Sequence, residues 1–131
     1  MKLDTKKIDT IQTNLKAGAR WYVGGVVLAE GSDDKADLSN LTAKMEFRDG
    51  KNGKVLATLT HDLGITLLDG SSDHNYEIDL SSVLSMGFND SELVLSDFFI
   101  MNGVTAFPIF NVQLRIERTQ TQWITQTSPS P

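Results

Sequence analysis

Cysteine is absent from the 131 residues of this chain, which excludes disulfides, thiolate metal ligands and a cysteine nucleophile. Histidine is confined to His61 and His74, and proline to Pro108, Pro129 and Pro131. No apolar run approaches the roughly 20 residues of a membrane helix. The first thirty residues open on alternating charges (Lys2, Asp4, Lys6, Lys7, Asp9), so they read as no secretory signal. Positive charge is also short: 12 Lys and Arg against 17 Asp and Glu give a net charge of −5. The basic residues are scattered, which argues against nucleic-acid and anionic-lipid partners. Glycine motifs for phosphate are missing too. Gly24-Gly25 has no following lysine, and no Gly-x-Gly-x-x-Gly occurs.

What is present is a two-residue beat. Leu41, Ala43, Met45 and Phe47 alternate with Thr42, Lys44, Glu46 and Arg48. Phe110, Val112, Leu114 and Ile116 alternate with Asn111, Gln113, Arg115 and Glu117, and Tyr76, Ile78 and Leu80 with Glu77 and Asp79. Side chains of a strand point to opposite faces in turn, so each segment reads as a half-buried strand. Less regular strands are expected over Ile8–Leu15, Arg20–Leu28, Val55–Thr60, Ile65–Leu68 and Glu92–Asn102. Turn clusters separate them at 31–35, 49–54 and 69–73, with glycines at positive φ expected in the 49–54 hairpin. Pro108 cannot donate to a ladder and marks an edge or a bulge. Gly24-Gly25 signals a bend or a close backbone approach. One short helical turn is expected near 81–87, with a serine cap and Gly87 as its stop. The whole is all-β, an antiparallel sandwich or barrel, in one domain over 1–119. Residues 120–131 are polar, end in proline and read as an extended tail.

Chemistry is sparse. Ser71, Ser72, Asp73 and His74 bring the residue types of a hydrolase triad together, but neighbours in a turn point apart, and no Gly-x-Ser-x-Gly elbow supports them. The 69–73 stretch starts like a calcium loop, yet His74 and Leu80 stand where its glycine and glutamate belong. Asp33, Asp34 and Asp37 read as a solvated acidic loop. No catalytic residue, metal or cofactor is expected, and the chain reads as no enzyme. The doubled aromatics Trp21-Tyr22 and Phe98-Phe99 cannot both turn inward along a strand, so one of each pair faces out, towards a partner. Contact residues are expected at Trp123, Ile124, Ile8, Ile11 and Leu15, and at Trp21 or Tyr22.

The order of features resembles a module of tailed-bacteriophage structural proteins. Gly18-Ala19-Arg20-Trp21 stands where that module opens with a Gly-Asp-Thr-Trp-type strand. Asp37-Leu38-Ser39-Asn40 then leads into the strand ending at Asp49. Val55-Leu56-Ala57-Thr58-Leu59, Gly64-Ile65-Thr66-Leu67 and Tyr76-Glu77-Ile78-Asp79-Leu80 follow in order. Leu93–Phe99, Phe110–Ile116 and Thr119 close the series. The chain is similar in this respect to the immunoglobulin-like N-terminal domain of baseplate upper proteins and related tail accessory proteins. That resemblance implies an antiparallel immunoglobulin-like β-sandwich acting as a virion structural component in tail, baseplate or neck. It implies homo-oligomers, other virion proteins as partners, synthesis in a host cytoplasm and no catalytic residue. The alternatives are a capsid decoration protein, or a sandwich that binds a carbohydrate or host-surface glycan through its exposed rings and acidic loops.

Overall fold

Alternation in the sequence becomes alternation in burial. The computed structural model describes residues 2–5 and 9–118. Its elements are β1 (Asp9–Lys16), β2 (Trp21–Gly25), β3 (Thr42–Asp49), β4 (Val55–His61), β5 (Gly64–Leu67), β6 (Tyr76–Leu80), α1 (Ser82–Met86), β7 (Leu93–Asn102) and β8 (Thr105–Glu117). Ala43, Met45 and Phe47 of β3 are buried, as are Tyr76, Ile78 and Leu80 of β6 and Phe110, Val112, Leu114 and Ile116 of β8. Their sequence neighbours face out, as a pleated strand requires.

The strands form one eight-stranded sheet in the order β1-β8-β7-β3-β4-β5-β6-β2, nearly closed as a barrel. The expectation of an all-β fold with a single short helix holds. A purely antiparallel ladder does not: β1 pairs parallel with β8, and β4 pairs parallel with β5. The second case has a local cause. Asp62 takes a left-handed conformation (φ 66°), and the chain coils there instead of turning back. β4 and β5 then run side by side for only two residue pairs, Thr60 with Gly64 and His61 with Ile65. A conventional parallel crossover needs a dozen residues or more.

Two groups of rings fill the interior. Phe47 meets Trp21 edge-on at 6.2 Å and Phe88 at 5.8 Å. Tyr76, Phe98 and Phe110 contact one another at 5.1 to 6.0 Å. Each fully buried ring of this kind contributes about 1.5–3 kcal/mol by burial. Because the rings come from β2, β3, β6, β7 and β8, they tie distant parts of the sheet across one core.

Local signals mostly act as their chemistry dictates. Ser81 caps α1 by accepting from the Leu84 N–H at 3.2 Å, and Gly87 ends it. Gly87 is right-handed (φ −65°), so its role does not rest on positive φ. In the 49–54 hairpin Gly53 has positive φ and Gly50 does not, which corrects the expectation for the pair. Pro108 lies beside a bulge: Phe98 pairs with Phe110 and Phe99 with Pro108, leaving Ile109 as the extra residue. Gly24 and Gly25 are needed for close approach. A Cβ at Gly25 would overlap the Tyr76 hydroxyl, and one at Gly24 the His74 ring. β2 stops at Gly25, three residues short of the expected strand.

Candidate interaction surface

β1 and β2 follow each other in the chain and are the two edges of the sheet. Traced through the successive pairings, they run in opposite directions across the opening. A four-residue link (17–20) joins them, yet no ladder forms between them among the described residues. Two buried side chains fix the backbone next to the two strands. Ser85 of α1 accepts from the Gly18 N–H at 2.8 Å and donates to the Ala19 carbonyl at 2.7 Å, fixing the link. At the other end Asn75, fully buried, fixes the segment after β2. Its side-chain oxygen accepts from the Val27 N–H at 2.8 Å, and its amide donates to the Val27 and Ala36 carbonyls at 2.7 and 2.9 Å. Leu3 bridges to Ala29 on the far side of this segment. The opening there becomes a hollow of about 270 Å³ walled by Asp4, Asp9, Ile11, Val26 and Ile109, with Tyr76 beneath. Burial, and after it the Asp9 carboxylate, pushes the Tyr76 phenol above its ordinary range.

The expected contact residues fall into three groups. Trp21 and Tyr22 split as expected of a strand: Trp21 is half-buried on Phe47, while Tyr22 is 46% exposed. Ile11 is half-buried at the edge of the core, whereas Leu15 is 5% exposed and belongs to the core itself. Ile8, Trp123 and Ile124 lie outside the described residues. Around Tyr22 the outer face of β2 and β6 is charged. Arg20 grips Asp79 with two hydrogen bonds of 2.8 and 2.9 Å and places its guanidinium 5.1 Å from the Tyr22 ring. Those bonds hold the Asp79 carboxyl below the usual carboxylate range. Partial desolvation, then the nearby Glu77, raises the Tyr22 phenol.

The acidic loops are occupied by their own turns. Asp37 accepts from the Ser39 N–H and hydroxyl at 2.9 and 2.6 Å, and Asp69 from those of Ser71 at 2.9 and 2.7 Å. Both carboxyls are lowered, chiefly by the serine hydroxyls. The Ser71 hydroxyl is thus committed to Asp69, while the His74 ring lies against Gly24. Among the described residues no group of three or more histidines and carboxylates is placed to hold a metal. None of their helices is long and apolar enough to cross a membrane.

Neither protein-family models nor curated proteins show a match to this chain. The geometry of the edges and of the outer face therefore carries the functional argument. One feature had no counterpart in the sequence patterns: a hollow on the outer face of β3, β7 and β8. Its only trace in the sequence is the outward member of the Phe98-Phe99 pair.

Proposed function

We propose that this chain is a non-catalytic assembly module, a bacteriophage virion component of tail, baseplate or neck that packs against copies of itself and neighbouring virion proteins. The observation that carries the assembly role is the opening between β1 and β2. Two strand edges without ladder partners among the described residues are templates for a further strand. Exposed Tyr22, Val26 and Leu63, at 46%, 45% and 73%, add apolar surface for contacts. The virion assignment rests on the sequence resemblance, as does the finer description of the fold as an immunoglobulin-like sandwich. In this proposal Ile11 and Tyr22 meet the partner, Trp123 and Ile124 contribute further contacts, and the particle is the site of action.

Light scattering of the full chain over a range of concentrations tests the proposal. The expected mass rises above the monomer. Thr13→Lys, at an exposed position of β1, is expected to lower it, because an edge lysine opposes strand addition. Removal of residues 120–131 is expected to weaken assembly without unfolding the domain. A monomer at every concentration, which also fails to bind virion proteins, counts against the proposal.

A further inference from the structure

In the middle of the sheet the ladder between β3 and β7 is interrupted. The strands pair from Thr42 with Met101 to Lys44 with Phe99, and again at Arg48 with Leu95 and Asp49 with Val94. The register is the same on both sides, yet Met45–Phe47 and Ser96–Phe98 do not pair. Bulges lie on the strands either side of this pair: Leu56 is the extra residue of β4 against Phe47/Arg48 of β3, and Ile109 that of β8 against Phe98/Phe99 of β7. Bulges of this kind are over-represented beside functional sites. Glu46 and Asp97 would be directly opposite at the centre of the gap. Like charges directly opposite each other disfavour pairing.

Over the gap lies a hollow of about 590 Å³, within the range of ~300–1,000 Å³ typical of small-ligand sites. Its floor is the stretch where β3 and β7 form no ladder pairs. Backbone groups that face each other across the gap lack ladder partners, and backbone donors and acceptors normally find one.

The side chains around the hollow define what would fill it. Glu46 is spent on its neighbours, with Arg48 at 2.6 Å and Lys44 at 3.4 Å. Asp97 has no ion-pair partner among the described residues and remains as an acceptor. The Asn111 amide offers a donor and an acceptor, while the Gln113 amide oxygen accepts from the Gln12 amide at 3.1 Å and leaves its NH2 group as a donor. Half-buried Phe99 and partly exposed Leu95 supply an apolar floor. A polyanion would meet Asp97, and a polycation would meet Lys44 and Arg48. A chain of hydroxyls with apolar C–H faces meets every group with its complement.

We propose that the outer face of β3, β7 and β8 binds a neutral oligosaccharide, its hydroxyls on Asp97, Asn111 and Gln113 and a sugar face on Phe99. The site uses neither the β1/β2 opening nor the acidic loops at 31–37 and 69–73. It therefore stands or falls independently of the assembly role.

An array of neutral and acidic oligosaccharides, probed with the full chain, tests this. The strongest neutral binder is then titrated while backbone amide resonances are followed. The expected result is saturable binding with shifts at 44–48, 95–99 and 111–113. Asp97→Asn, an exposed and nearly isosteric change, lowers affinity by about tenfold or more, as loss of a central charged hydrogen bond does. Phe99→Ala does the same, and Phe99→Leu partly restores it. Retention of no neutral glycan overturns the proposal. So does retention of acidic glycans alone, binding that survives Asp97→Asn with an unchanged dichroism spectrum, or shifts confined to the acidic loops or to β1 and β2.

Discussion

Replacing Asn75 by alanine removes three hydrogen bonds from a fully buried position and frees the segment that walls one side of the β1/β2 opening. The Val27 carbonyl keeps a partner, because it also accepts from the Ala36 N–H at 3.0 Å. The Val27 N–H and the Ala36 carbonyl lose the side-chain partners they have now. A buried polar group left unsatisfied costs about 1–3 kcal/mol, so two of them cost about 2–6 kcal/mol. Water entering the vacated space relieves part of this, and about 3 kcal/mol is expected. That is a large fraction of the ~5–15 kcal/mol by which a domain is stable. Urea unfolding followed by tryptophan fluorescence measures the loss, and hydrogen exchange locates it. The Val27 and Ala36 amides should lose protection while those of β3 and β7 change only with global stability. A cost below about 1 kcal/mol, or exchange that rises uniformly, would refute the view that Asn75 clasps this segment.

Other substitutions separate similar residues by their surroundings. Ser85→Ala is expected to cost about 1–2 kcal/mol in thermal unfolding, because the Gly18 N–H loses its acceptor. Ser96→Ala is expected to be neutral or stabilising by up to about 1 kcal/mol, since a buried hydroxyl without a partner is removed; an equal loss from both serines would contradict the two assignments. Gly25→Ala should destabilise by about 2 kcal/mol or more through overlap with Tyr76, and Tyr76→Phe should restore part of that loss. Asp37, Asp49, Asp69 and Asp79 are all held below the usual carboxylate range. A depressed folded value contributes stability above the unfolded pKa, near ~4, and the contribution is lost as pH falls through the folded value. The melting temperature should therefore decline on acidification below about pH 4, and less steeply in Asp37→Asn/Asp69→Asn.

The parts of this fold that were legible in the sequence are those that depend on neighbours in the chain. Alternation marks β3, β6 and β8 because a strand side chain's face is decided by its parity. Trp21 and Tyr22 split for the same reason. Ser81 and Gly87 bound the helix through bonds made within a few residues. Strand partners were not legible, because parity says nothing about which strand lies alongside. Nothing in Asp9–Lys16 announces a parallel pairing with the last strand, and the coil at Asp62 rests on two positive-φ residues, Asp62 and Gly64, of which only the glycine is a sequence signal. Leu15 was expected at a contact surface, yet its pairing beside Ile116 of β8 carries it into the core. The gap between β3 and β7 has Glu46 facing Asp97, fifty-one positions apart, and only pairing in space brings them opposite each other. The acidic loops stood out by composition, but the serines two residues on from Asp37 and Asp69 already occupy those carboxylates.

Hydrogen exchange of the full chain at low and high concentration, read peptide by peptide, tests the assembly role most directly. If open strand edges are what this protein offers its partners, the amides of β1 and β2 gain protection as concentration rises. Those of β4 and β5, inside the sheet, stay as they were. Exchange at β1 and β2 that does not change with concentration, in a chain that scatters light as a monomer throughout, would contradict it.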